Sequence, residues 1–89
     1  MSKEKTMSRF ELEEEGETAY LEFELDHVGW ITLWHTEVPE ALRGRGLAGV
    51  LARTALEYAR DNKLKVDVIC PSVANYLAKN PEFQDLVGK

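Results

Sequence analysis

The sequence predicts an α+β domain in the order β-β-β-α-β-α, built on a mixed, mainly antiparallel sheet. Three observations carry that expectation. First, "YLEFELD" (residues 20–26) alternates apolar and acidic residues at the two-residue period of a half-buried strand, and "WITLWHTEV" (30–38) is β-branched and aromatic. Second, "GLAGVLARTALEYA" (46–59) repeats its apolar residues at helical spacing. Third, the stretch from Pro39 to Lys63 is long enough for a crossover, so the strand after it lies parallel to the strand before it.

Residues 8–14 and 18–26 read as two strands joined by a turn at Glu15, Gly16 and Glu17. "DHVG" (26–29) turns the chain again, with His27 exposed in the turn. The third strand, 30–38, places Trp30 and Trp34 on one face and Ile31, Leu33 and His35 on the other. Both tryptophans read as core residues rather than as a substrate platform. Pro39 ends this strand because it has no N–H for the ladder. A helix starts near Gly46 and turns Leu47, Val50, Leu51, Ala55, Tyr58 and Ala59 toward the sheet. Asp61 to Lys63 end it, with Asn62 as the left-handed cap. "LKVDVIC" (64–70) is a fourth strand with Leu64, Val66 and Val68 on one face and Cys70 as its last residue. Pro71 breaks that strand, Ser72 caps a second helix over Val73 to Lys79, and "NPEFQDLV" closes the chain as a turn or short helix.

The 89 residues read as one domain spanning 1–89, able to bury only about 60–65% of the surface of the unfolded chain. The apolar share of 44% and charged share of 30% are those of a globular chain rather than a disordered one. No apolar run approaches the roughly 18–20 residues of a membrane span, and "MSKEKTMSRF" lacks the apolar core of a signal peptide. One cysteine, Cys70, forms no internal disulfide, so a reducing cytoplasm is expected. A net charge of −5 argues against nucleic acid as a partner. No metal site is expected, and no membrane partner. The acidic run "ELEEEGE" (11–17) is read two ways, as a solvated turn or as a rim that attracts a cationic substrate.

The functional signal lies in "VPEALRGRGLAGVLARTALEYA", where two loop patterns overlap. Gly44, Gly46 and Gly49 spell G-x-G-x-x-G; Arg43, Gly46 and Ala48 spell R-x-x-G-x-A. The first needs its leading glycine directly after a buried strand and a sheet of repeated parallel units. Here five residues, Glu40 to Gly44, intervene, and Asp67, the candidate ribose ligand, falls in mid-strand. The second pattern fits its surroundings. Backbone amides of residues 44–48 can turn around an anion, the helix dipole points at the same place, and Arg43 and Arg45 add charge suited to a pyrophosphate. The plain alternative is a glycine-rich turn with two surface arginines.

This loop, the Val-Pro before it, the helix after it and the ending "CPSVANYLAKNPEF" together resemble the GNAT superfamily of acyl-CoA-dependent N-acyltransferases. The resemblance runs over residues 18–86 and is strongest to the compact, stand-alone branch of predicted acetyltransferases. It implies a compact GNAT-like fold whose third and fourth strands are parallel and splay apart at their C-terminal ends. It also implies acetyl-CoA as co-substrate, with pantetheine paired to the backbone of Thr36, Glu37 and Val38. Arg43, Gly44, Arg45, Gly46, Leu47 and Ala48 would wrap the pyrophosphate. Asn75 and Lys79 would reach the CoA tail, and Tyr76 would either donate a proton to the thioester sulfur or simply pack.

The thioester would then lie by His35 and Cys70, the candidate catalytic residues. His35 is either a general base toward the amine or a hydrogen-bonded core histidine. Cys70 is either a nucleophile that carries the acyl group or a small core residue. Two routes stay open: direct transfer, or an acyl-Cys70 intermediate. Full-size relatives place helices near the N-terminus that build the acceptor side, where this chain has a bare hairpin. The expected function is therefore acetyl-CoA-dependent N-acetyltransfer to an amine, on a bulky cationic acceptor such as a protein. The rival class is a non-catalytic CoA- or acyl-CoA-binding module.

Overall fold

The computed structural model describes residues 7–26 and 28–88. The start of the chain, read for targeting signals, and His27, read as exposed in a turn, lie outside the described residues. The elements are β1 (Met7–Glu14), β2 (Glu17–Leu25), β3 (Trp30–Glu37), a 3-10 turn (Glu40–Leu42), α1 (Leu47–Asp61), β4 (Lys65–Val68), α2 (Pro71–Lys79) and a closing 3-10 stretch (Pro81–Leu86). Among the described residues these strands form one sheet in the order β1-β2-β3-β4, antiparallel except for the β3–β4 pair. The expected α+β architecture with one parallel pair is what the chain adopts.

Turn chemistry sets the meander. Glu15 (φ 53°) and Gly16 (φ 79°) both occupy left-handed backbone, the pairing that matches the twist of a two-residue hairpin. At the β2–β3 turn the Asp26 carboxylate accepts from the backbone N–H groups of Val28 and Trp30, both at 2.9 Å.

Both helices cover one face of the sheet. Ala19, Leu21 and Phe23 from β2, Ile31 and Leu33 from β3 and Val66 from β4 meet Leu47, Leu51, Ala52, Ala55, Leu56 and Ala59 of α1. Each leucine removed from water there stabilises the fold by about 1.5–3 kcal/mol. Phe10 of β1 stacks on Phe23 and meets Tyr58 edge-on, closing that side. Val50, expected on this stripe, is exposed; Leu56, one turn and a half further on, holds the buried position instead.

Three local expectations are corrected. The left-handed residue after α1 is Lys63 (φ 58°), not Asn62. Leu64 N–H donates to Ala59 O and Lys63 N–H to Arg60 O, the two bonds that close a helix end this way. Asn62 stays outside the left-handed region and donates from its side-chain amide to Tyr58 O. Second, α2 starts at Pro71, which needs no donor at the first helical position; the cap residue is Cys70, not Ser72. Third, β4 ends at Val68, so Cys70 is past the strand.

Beyond the 3-10 stretch, Val87 pairs with Val66 in parallel and Gly88 N–H donates to Val66 O. Val87 and Gly88 thus lie along the outer edge of β4, with Gly88 against Trp30. No helix is long and apolar enough to cross a membrane.

Candidate functional site

The site forms where β3 and β4 part. Their paired register runs from Trp30↔Lys65 to Leu33↔Val68 and stops there, although β3 continues to Glu37. Leu33 O accepts from both Ile69 N–H and Cys70 N–H at 3.0 Å, after which the chain leaves the sheet into α2.

A β-bulge decides which side chains face that opening. Phe23 pairs with Leu33, but Glu22 pairs with His35, so Trp34 is an extra residue in β3. A one-residue slip moves every later side chain to the other face. Thr36, opposite Leu21, therefore takes the helix side, and His35, opposite Glu22, takes the outer side. The expectation that His35 shares a face with Ile31 and Leu33 is corrected on this ground. Its ring is about half exposed, its Nε2 lies 3.2 Å from Glu37 Oε1, and it sits edge-on to Tyr20. Trp34 follows inward-facing Leu33 and lies on the outer face by alternation, exposed and with its Nε1–H donating to Glu24 at 2.9 Å, so Trp34 is not a core residue.

Cys70 is 1% exposed, and its Sγ shares a 3.1 Å hydrogen bond with Thr36 Oγ1. The structure thus brings Cys70 to the side chain of Thr36, and not to His35. Thr36 had been singled out only for its backbone. The bulge that turns its hydroxyl inward depends on pairing with a distant strand and leaves no local mark in the sequence. Although Cys70 caps α2, it makes no side-chain hydrogen bond to that helix's N–H groups.

The loop before α1 is shaped by two glycines in left-handed backbone, Gly44 (φ 84°) and Gly46 (φ 76°), with Gly46 capping α1. No side-chain hydrogen bond caps this helix start and its first turn carries no acid, which leaves its first amides and the positive end of its dipole without a cap from within the helix. The two arginines differ. Arg43 donates from Nε to Val38 O at 3.0 Å and lies 3.9 Å from Glu37. Arg45 instead bonds Glu15 at 3.2 and 3.3 Å and Glu14 at 3.3 Å across the hairpin tip. The Glu15 carboxylate first, then Glu14, raises its pKa above the ordinary guanidinium value. So Arg45 ties the loop to the acidic hairpin, and Glu14 and Glu15, read either as part of a solvated turn or as a rim for a cationic substrate, already hold an internal cation.

Three adjoining grooves run past this helix start. One of about 190 Å³ is lined by Val38, Leu42, Arg43, Gly44, Gly46, Leu47 and Ala48. A second, about 260 Å³, is bounded by Gly46, Gly49, Val50, Arg53 and Tyr76. The third, about 220 Å³, lies between Ala48, Gly49 and the α2 residues Ser72, Asn75, Tyr76 and Lys79. Spacing explains the α2 lining: residues 72, 75, 76 and 79 fall on one helical stripe, opposite the buried Val73 and Leu77. Tyr76 both packs near Phe83 and borders two grooves. Leu42, Gly49, Val50, Arg53 and Ser72 line the grooves without having been expected there; Gly49 was legible as a small residue in the first helical turn. Arg45 lines none of the three.

Comparison with known proteins points in one direction. The family profile described as GCN5-related N-acetyl-transferase matches residues 9–86. The chain is 43% identical over 51 residues to Protein NATD1 of Gallus gallus and of Mus musculus, covering 57% of this chain and 46% of those proteins. Protein NATD1 of Danio rerio is 39% identical over 56 residues, covering 63% of this chain and 51% of the relative. The chain spans about half the length of the curated relatives it matches.

Proposed function

Because the chain belongs to the GCN5-related N-acetyltransferase family, we propose that it moves an acetyl group from acetyl-CoA directly to an amine. The observation that carries this reading is the run of grooves from Val38 around the uncapped start of α1 to Lys79, beside the opening between β3 and β4.

Each residue then has a task. The amides of residues 44–48 cradle the pyrophosphate, with Gly44 and Gly46 supplying the backbone shape and Arg43 the charge. Arg45 holds the loop to the hairpin instead of touching phosphate. Backbone groups of Thr36, Glu37 and Val38 pair with pantetheine, and Asn75, Tyr76 and Lys79, joined by Ser72, border the CoA tail. His35 is the base. With Nε2–H donating to Glu37, the neutral ring keeps Nδ1 to accept the ammonium proton of the acceptor. The freed amine attacks the thioester carbonyl as the C–N bond forms and the C–S bond breaks, and CoA leaves as a thiolate that takes up the proton shed by the new amide nitrogen.

Direct transfer is preferred to an acyl-Cys70 route on three observations. The thiol is buried, its side-chain partner is the neutral hydroxyl of Thr36, and no helix N–H is bonded to its sulfur. A nucleophilic thiolate needs a cation or helix donors against its sulfur, and among the described residues the side-chain partner of Cys70 Sγ is the Thr36 hydroxyl.

The test is native mass spectrometry of the protein with acetyl-CoA, NADH serving as control, followed by an acetyl-transfer assay with amine acceptors. A non-covalent acetyl-CoA adduct without an NADH adduct, and transfer above the uncatalysed rate, is the expected result. Binding without transfer would reduce the protein to a CoA-binding module. Absence of an acetyl-CoA adduct on folded protein would end the reading.

A further inference from the structure

We infer that the outer face of the sheet is a docking surface for a cationic, lysine-bearing polypeptide, which presents a lysine amine over Trp34 to the opening between β3 and β4. This rests on the transferase reading above and names its acceptor.

The placement follows from topology. Buried Ala19, Leu21, Phe23, Ile31, Leu33 and Val66 show that α1 and α2 cover one face. The residues between them point the other way, where no helix packs among the described residues. On that face, among the described residues, the register sets Glu11, Glu13, Glu22, Glu24, Glu37 and Asp67 against Arg9 and Lys65, with Arg43 reaching Glu37 from the loop at 3.9 Å. A surface with that excess attracts cationic chains and repels anionic ones. The acidic hairpin is a weaker candidate, since Glu14 and Glu15 are engaged by Arg45.

Aromatic surface supplies the second half of the recognition. Arg9 lies 4.0 Å over the Tyr20 ring and pairs with Glu11 and Glu22, so the face already holds a cation between an aromatic plane and carboxylates. Trp34 of β3, 39% exposed and held by Glu24 of β2, repeats that combination on the same face, and Ile69 (50% exposed) follows β4 on the other side of the opening. A lysine stem can lie along Trp34 and Ile69 while its ammonium meets the carboxylates. The bulge puts His35 and Glu37 on this same side, so the base faces the incoming amine. None of the three grooves opens on these residues, and an open face four strands wide suits an extended chain better than a small amine.

The experiment is a ¹⁵N-resolved NMR titration of the whole chain with three probes: a ten-residue peptide of alternating Lys and Gly, its Glu-Gly counterpart carrying one Lys, and spermidine. Acetyl-CoA is titrated separately. The Lys-Gly peptide should move the Trp34 indole N–H and the amides around His35 and Ile69, with an affinity that falls as salt rises. Glu22→Gln and Asp67→Asn should each weaken it roughly three- to fivefold. Trp34→Ala should weaken it by about fivefold or more. Shifts centred on Glu14–Glu17 or on the helices, or affinities indifferent to Glu22→Gln and Asp67→Asn, would overturn the inference. Equal binding of spermidine at the same residues would also overturn it, by removing the polypeptide. Should these fail while acetyl-CoA moves residues 43–48, the transferase reading survives alone. If acetyl-CoA leaves 43–48 unmoved, that reading falls and takes this inference with it.

Discussion

Replacing Gly46 by alanine separates the two roles of the loop, because the structure contains its control. Gly46 (φ 76°) and Gly16 (φ 79°) occupy the same left-handed backbone, and a Cβ built on either meets no atom within 4 Å. Without steric conflict, the cost of alanine at each is the left-handed penalty alone, about 1–2 kcal/mol. For a domain of this size each kcal/mol lowers Tm by about 4–8 °C. Gly46→Ala and Gly16→Ala should therefore be destabilised alike in thermal melts. Only Gly46 lines the groove at the start of α1. There a methyl group would stand between the backbone amides and a phosphate, and losing one charge-assisted hydrogen bond is worth about 1.5–3 kcal/mol. Calorimetric titration should then show acetyl-CoA affinity reduced roughly ten- to hundredfold in Gly46→Ala and unchanged in Gly16→Ala. Equal affinities in the two variants would refute the assignment of this loop to the pyrophosphate. Unequal melting temperatures would refute the backbone argument.

Other perturbations address single residues. His35→Gln, at an exposed position, should leave Tm within about 1–2 °C and lower kcat by roughly 10²–10⁴-fold; an unchanged kcat would remove His35 as base. Cys70→Ala should cost roughly 1 kcal/mol of stability from the vacated sulfur and keep kcat within about threefold, whereas abolished turnover would restore the acyl-Cys70 route. Arg43→Ala should weaken acetyl-CoA binding more than Arg45→Ala, since Arg45 is held by Glu14 and Glu15; the reverse order in a titration would place Arg45 on the phosphate. Gly88→Ala drives a methyl group into the Trp30 ring and should lower stability by about 1–3 kcal/mol in a denaturant melt; an unchanged melt would refute the packing of Gly88 on Trp30.

The order of strands and helices, the parallel β3–β4 pair and the glycine loop before α1 were legible in the sequence because each rests on a local signal. Alternation in "YLEFELD" depends on neighbours two apart, the α1 stripe on neighbours three and four apart, and the left-handed loop on the glycines themselves. Contacts between distant segments had no such signal. Arg45 and its partner Glu15 are thirty residues apart, and nothing near either one indicates that the hairpin tip folds back onto the loop.

The side of the sheet on which His35 stands was settled by tertiary structure alone. Simple alternation from Ile31 and Leu33 puts it in the core. Pairing with β2 inserts Trp34 as an extra residue, which turns Thr36 inward to Cys70 and His35 outward to Glu37. Composition and periodicity along one strand therefore determined which residues gather near the opening. The register between two strands decided which side of it each one faces, because side-chain direction reverses with every residue and a bulge shifts the count by one.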